Sequence, residues 1–175
     1  MGAGILPTTI HNGTLYFLFG KERHNDSTPG WSDFAGGQEK EESQWATAVR
    51  EGTEELTGFL GSEQDLRKML NRYGTYNVDM ERYRTHIFPM DHDEKLVFYY
   101  NNNQRFLQKR LNPHILKNSK IFEKQEIRWI SIDDLIRSKK IFRPFYRVMV
   151  QLIYDDRENI ARFIKKAITP RGAYK

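Results

Sequence analysis

Cysteine is absent from the 175-residue chain, which excludes a disulfide framework, a thiolate zinc site and a cysteine nucleophile. No apolar run approaches the ~18–20 residues that a bilayer span needs. The opening residues, Met1-Gly2-Ala3-Gly4-Ile5, have neither the basic nor the apolar stretch of a secretory leader. Repeats and low-complexity linkers are missing too, so one domain over 1–175 is expected. A hydrophobic fraction of 38% with 13% aromatics excludes a disordered chain. The length suffices to bury a core without staples. These absences point to a soluble, intracellular domain, most simply cytoplasmic, with no membrane partner. Oligomeric state is not legible.

Charge is present but unevenly placed. From Arg137 onward there are 11 Lys/Arg against 3 Asp/Glu, a balance of +8, so the other 136 residues carry −3 of the total of +5. A basic end on an acidic body suits a polyanionic ligand such as RNA, although basic exposed helix faces are also common.

Ile5–Ile10 and Thr14–Gly20 read as strands joined by the hairpin signal Asn12-Gly13. His24–Gly30 has loop composition, and Trp31–Phe34 reads as a brief strand ended by Gly36-Gly37. From about Ser43 the period turns helical, with Trp45, Ala48, Val49, Gly52 and Leu56 on one stripe. A short helix follows over Ser62–Asn71, and Tyr73–Met90 and Lys95–Tyr100 are expected as strands. Asp91-His92-Asp93 and the 101–103 Asn run read as turns between them. Glu126–Ile130 reads as a strand, Ser131 as the cap of a helix to Ile136, and about 144–166 as one basic helix with Phe145, Val148, Met149, Leu152 and Ile153 facing the core. The irregular mixture gives an α+β or compact α/β fold, helices packed on a mixed sheet.

The chemistry is concentrated in Gly36-Gly37-Gln38-Glu39-Lys40-Glu41-Glu42 and Arg50-Glu51-Gly52-Thr53-Glu54-Glu55. Glu51, Glu54 and Glu55 fall at i, i+3 and i+4, within one arc of about 100°. Like charges at that spacing repel, and one guanidinium satisfies about one carboxylate bidentately. A divalent cation is the other remedy, and all-oxygen ligands select Mg²⁺ or Mn²⁺. Glu42 stands at the helix entrance, where it can pair with Arg50. The Gly36-Gly37 turn allows close backbone approach to a metal or phosphate.

These residues resemble the Nudix hydrolase signature G-x5-E-x7-R-E-U-x-E-E-x-G-U, where U is aliphatic, with Gly36, Glu42, Arg50, Glu51, Glu54 and Glu55 in register over a box of 36–58. Trp31, the hairpin before the box and the late Glu-x-x-Trp segment extend the likeness. Three departures stand out. Gly52 replaces an aliphatic residue, which implies close helix-to-sheet approach; Thr57-Gly58 replaces Gly-aliphatic; and Ala35 replaces a frequent proline. The resemblance implies a mixed sheet between helices with a loop-helix-loop box. It also implies a Mg²⁺ site (Mn²⁺ being an alternative) at Glu51, Glu54 and Glu55 with the backbone carbonyl of Ala35. Arg50 would orient Glu51, and Glu42 would hold Arg50. Glu54 or Glu55 would serve as base, with Glu126, or less favourably Glu123, as a further carboxylate from a distant loop.

The implied activity is hydrolysis of a diphosphate linkage in a nucleoside-diphosphate-linked substrate. Lys21 and Arg23 are candidate phosphate ligands beside Gly36 and Gly37. Trp31, Phe34, Tyr16 and Tyr100 are candidate stacking platforms, although burial is the commoner fate of such rings. The run Trp31–Gly37 and the Arg50–Leu56 segment are similar to Nudix proteins of large DNA viruses, some of which remove mRNA caps, and this would place the chain in a host cytoplasm. Decapping is therefore the leading expectation, with Arg143, Arg147, Arg162, Lys165, Lys166 and Arg171 as RNA contacts. The alternatives are a pyrophosphatase for dinucleoside polyphosphates, nucleotide sugars or diphosphoinositol polyphosphates, and a noncatalytic RNA- or nucleotide-binding module. The five histidines show no paired spacing and receive no metal role.

Overall fold

The computed structural model describes residues 1–23, 26–118 and 123–168. Strand β1 (Gly2–His11) organises the sheet. Its first half pairs antiparallel with β4 (Phe34–Gly37) and its second half with β2 (Thr14–Glu22), while its other edge runs parallel to β6 (Tyr83–Pro89). The β1–β2 turn uses Asn12 and Gly13, both at positive φ (49° and 78°), as a tight two-residue hairpin requires. β5 (Tyr76–Met80) closes one side against β6. β2 also carries β3 (Trp31–Ser32) and, antiparallel along its outer edge, β7 (Lys124–Ser131).

Alternation along the strands supplies two cores. Leu6, Phe17, Phe19 and Ile87 face one side, and Ile5, Leu18, Phe34 and Phe88 the other. Helices α1 (Gln44–Glu55), α2 (Glu63–Tyr73) and α3 (Glu94–Arg110) cover the second face. Helices α5 (Ile132–Arg137), α6 (Tyr146–Asp155) and α7 (Arg157–Ile168) cover the first. The short α4 (Pro113–Asn118) follows α3. This is the expected mixed sheet between helices.

Two segments differ from the sequence reading. Lys95–Tyr100, expected as a strand for its Val97-Phe98-Tyr99-Tyr100 run, is the first third of α3. The Asp93 carboxylate accepts from the amides of Lys95 (2.8 Å) and Leu96 (3.1 Å), and this cap outweighs the weak β-propensity of the residues behind it. The Asn run lies inside the same helix. Asn101 donates to the carbonyl of Ile127 (3.0 Å) and accepts from its amide (2.8 Å), filling the outer edge of β7 as a strand residue would. The second difference is that the basic segment 144–166 is two helices rather than one, broken at Asp156 (φ −98°, ψ 12°). Its carboxylate accepts from Asn159 Nδ2 (2.6 Å) and from the Tyr76 hydroxyl, fixing the start of α7. Met149 and Ile153 face the core as expected, with Leu152 packed beside them, but Tyr146 and Val150 complete the stripe in place of Phe145 and Val148, which are exposed.

Gly52 shows why propensity alone misleads. A Cβ there would lie 2.4 Å from Ile5 Cδ1, so α1 sits directly on β1. Helix propensity favours alanine by about 1 kcal/mol, whereas overpacking costs about 1–3 kcal/mol. Gly52→Ala is therefore expected to lower the unfolding free energy by up to about 2 kcal/mol in urea titrations; a stabilised variant would refute the close approach.

Candidate active site

Helix α1 begins at Ser43, whose hydroxyl accepts from the amide of Ala46 (3.1 Å). It delivers Arg50, Glu51, Glu54 and Glu55 beneath the Phe34–Gly37 strand. The guanidinium of Arg50 meets Glu42 twice, Nε to Oε1 at 3.0 Å and Nη2 to Oε2 at 3.1 Å. Its Nη1 donates to Glu51 Oε1 at 2.6 Å and stands 3.7 Å from Glu54 Oε2. Gly36 and Gly37, expected as a turn, instead end β4 paired with β1, and a further donation from Nη2 to the carbonyl of Gly37 at 3.1 Å ties that strand end to the helix. Glu42 also accepts from the Thr47 hydroxyl (2.8 Å) and the Glu39 amide (3.1 Å). These donors, Arg50 foremost, hold its carboxyl down at about 2. Gly36 has a steric role, because a Cβ there would fall 2.2 Å from the Glu51 carboxylate.

Glu55 points the other way. It is buried, accepts from the Ala35 amide (2.8 Å), and lies 3.3 Å from the Nζ of Lys124. Lys124 is itself fully buried and donates to Glu22 and to Ser32 Oγ (3.0 Å). Glu22 in turn accepts from Arg143 Nη1 at 2.7 Å. Burial pushes the Glu55 carboxyl well up, with Lys124 opposing and Glu22 reinforcing the effect. Burial also works against the Lys124 ammonium, but Glu55 and Glu22 outweigh it and hold its pKa above the ordinary value. Gly20 makes the room, since a Cβ there would meet Lys124 Cδ at 2.8 Å.

A cavity of about 320 Å³ opens beside this cluster, lined by Ser32, Gly36, Gly37, Tyr83, Arg143 and Phe145 among others. The Tyr83 and Phe145 rings stand 6.0 Å apart, and the Arg143 guanidinium lies 5.2 Å from the centre of the Phe145 ring. Behind it Asp33 is completely buried and accepts from the hydroxyls of Tyr83 (2.5 Å) and Thr85 (2.7 Å). Burial raises the Asp33 carboxyl to about 6 against those donors.

The expected site residues divide. Ala35, Gly36, Gly37, Glu42, Arg50, Glu51 and Glu54 share one corner, with Glu55 on its inner side. Glu126 is elsewhere, pairing with Lys21 (3.7 Å) and Arg128 (2.7 Å) on the β2–β7 surface; Glu123 precedes that strand. Arg23 donates to the carbonyl of Leu116 (2.7 Å). Trp31, Phe34 and Tyr100 are buried and offer no face for stacking, and Tyr16 sits 5.5 Å from the His92 ring. Of the C-terminal cations, Arg143 belongs to the cavity. Arg147 donates to the carbonyls of Phe142 (3.1 Å) and Lys140 (3.0 Å). Arg162 donates to Asn159 (3.2 Å), Lys165 and Lys166 close α7, and Arg171 lies outside the described residues. The sequence reading missed Lys124, Glu22, Ser32, Tyr83 and Phe145. The one available signal was Gly20, a glycine inside an aromatic strand, which marks close approach by something else.

Among the described residues no three carboxylates or imidazoles are arranged to hold an ion. The donor set nevertheless fits a hard divalent cation at Glu51 and Glu54, because both carboxylates reach the single Nη1 of Arg50. Glu55 does not fit as it stands, being held by Lys124 and the Ala35 amide.

A family model described as the NUDIX domain matches residues 2–153. The chain belongs to the Nudix family. Its fold is also that of solved Nudix structures. A C. elegans Ap4A hydrolase in a binary complex aligns at 16% identity and a TM-score of 0.53, over 93% of this chain and 99% of that one. The M. smegmatis Nudix hydrolase RenU aligns at 15% identity and 0.51, over 91% and 86%. No curated protein matches. The chain is thus a Nudix hydrolase, and enzymes of this family generally use divalent metal ions such as Mg²⁺. No helix among its described residues is long and apolar enough to cross a membrane.

Glu42 provides a test of this Nudix corner. Its carboxyl is depressed in the folded protein, so its stabilisation is present above the ordinary value of 4.5 and is lost as pH falls toward about 2. Glu42→Gln is expected to cost about 1–2 kcal/mol at neutral pH. In urea unfolding, the gap from wild type should close on acidification; a gap independent of pH would contradict the ionic pairing.

Proposed function

We propose that this Nudix hydrolase cleaves the diphosphate linkage of a nucleoside-diphosphate-linked substrate with the help of Mg²⁺ or Mn²⁺, and that its substrate is the 5′ cap of RNA. The observation that carries this reading is the Glu42–Arg50–Glu51 chain, with Glu54 on the same cation, set against Gly36 and Gly37, whose strand end also lines a cavity of about 320 Å³.

The residues divide the work. Glu51 and Glu54 would hold the ion, which neutralises diphosphate charge and acidifies a bound water. Arg50 fixes Glu51, and Glu42 fixes Arg50. Gly37, with no side chain at the end of β4, would let phosphate oxygens approach the backbone. Glu54 is the exposed member of the set, its side chain 36% accessible, and is therefore placed to take a proton from water. Glu55, buried on Lys124, is not. Tyr83 and Phe145 offer aromatic surface to a base, and Arg143 contributes a cation beside them.

The test is a comparison of cap-labelled RNA with free dinucleoside polyphosphates, nucleotide sugars and diphosphoinositol polyphosphates, with and without Mg²⁺ or Mn²⁺. Release of a methylated guanosine diphosphate from RNA, faster than turnover of any small diphosphate, is expected. Equal or better use of a small diphosphate would assign the enzyme to that substrate instead. Glu54→Gln should lower kcat about 10²–10⁴-fold with folding intact; full activity in that variant would remove Glu54 from the mechanism.

A further inference from the structure

Helix α3 is apolar on both sides. Leu96, Val97 and Tyr100 pack against the core with Asn101 and Gln104 beside them, while Phe98, Tyr99 and Phe106 are 60%, 59% and 60% exposed. Folding gains nothing from leaving three large rings in water, since burying each would contribute about 1.5–3 kcal/mol. The same outer surface carries Arg105, Lys109 and Arg110, with Lys95 at the start of the helix. None of these four cations has a carboxylate partner among the described residues. Arg105 donates only to Asn102 (2.6 Å), and the Arg110 guanidinium stands 5.9 Å from the centre of the Phe106 ring. The helix's one acid, Glu94, pairs with His92 at 3.2 Å.

We infer that the outer face of α3 is a binding surface for single-stranded RNA. Aromatic rings interleaved with free Arg and Lys suit a polynucleotide, because every base has a face to stack and every phosphate a charge to neutralise. An acidic peptide would use the cations but would cover the rings only where it happens to carry an aromatic or apolar side chain, whereas a polynucleotide offers a base at every unit. Position supports the same occupant. On the inner face of α3 the Tyr100 hydroxyl donates to the backbone carbonyl of Glu55 at 2.7 Å. Strand bound outside α3 therefore lies about one helix diameter, roughly 10 Å, from the end of the glutamate helix. This deepens the decapping reading, and rests on it, by giving the body of the RNA a seat that Arg143 and Arg147 do not provide, occupied as they are by Glu22, Asp26 and backbone carbonyls.

The experiment measures binding of labelled, uncapped single-stranded RNA by anisotropy across a salt series. The proteins are wild type, a Phe98→Ser/Tyr99→Ser/Phe106→Ser variant and an Arg105→Glu/Lys109→Glu variant, each checked by thermal unfolding. Both variants should bind at least about tenfold more weakly. The charge variant should also lose about 1.4 from the slope of log affinity against log salt. Turnover of a free dinucleoside polyphosphate should be unchanged, while KM for capped RNA rises. Wild-type RNA affinity in both variants would overturn the surface, as would no RNA binding at low salt. Self-association or capture by anionic vesicles through the same rings, without RNA binding, would overturn it too. If capped RNA is cleaved equally well by all three proteins, the surface fails and the decapping reading stands. If RNA binds at α3 but no cap is removed, the surface stands and the decapping reading fails.

Discussion

Arg50 is the cation on which the glutamate helix depends. Three carboxylates at i, i+3 and i+4 would repel one another on any exposed helix. Here one guanidinium spans Glu42, Glu51 and Glu54 and also reaches the carbonyl of Gly37. Its charge keeps Glu42 ionised, and Glu42 in return prevents Arg50 from swinging away. The geometry of the corner therefore follows from a charge relation between a loop residue and a helix residue eight positions later, with Gly36 leaving room for the Glu51 carboxylate.

A second, buried relation sits behind it. Lys124 lies between Glu55 and Glu22, and Arg143 joins Glu22 from the far side. Buried ion pairs repay their desolvation only when every member is satisfied. The Ser32 hydroxyl and the Ala35 amide add hydrogen bonds to Lys124 and Glu55, while the Nε of Arg143 is buried without a partner. Through these groups β2, β3, β4, β7 and α1 meet at one point. Glu51 and Glu54 stay with Arg50, while Glu55 anchors the helix to the sheet.

Much of this was legible in the chain, and the exceptions have physical reasons. The box residues could be read because their chemistry depends on local spacing, which a helix translates directly into an arc. Gly52 could be read because a glycine in a helix interior needs a cause, and Ile5 supplies it. The Lys95–Tyr100 strand failed because its β-formers outnumber the single cap, Asp93, that decides the matter. Glu126 failed because it was chosen by its place in a motif. The strand pairing puts Lys124 rather than Glu126 against Glu55, which only the register of β7 on β2 could reveal. Phe145 was expected in the core and lies at the cavity, immediately before a helix that starts at Tyr146.

The central claim is that Glu51 and Glu54 are held by Arg50 as ligands for a divalent cation. Titration of the protein with Mn²⁺ in a calorimeter measures this without any substrate. The account expects saturable uptake by wild type, and loss of that heat in a Glu51→Gln/Glu54→Gln variant that still unfolds cooperatively. It also expects affinity about 10–100-fold weaker in Glu42→Gln, where only the support of Arg50 is altered. No uptake by wild type, or the same affinity in all three proteins, would contradict it.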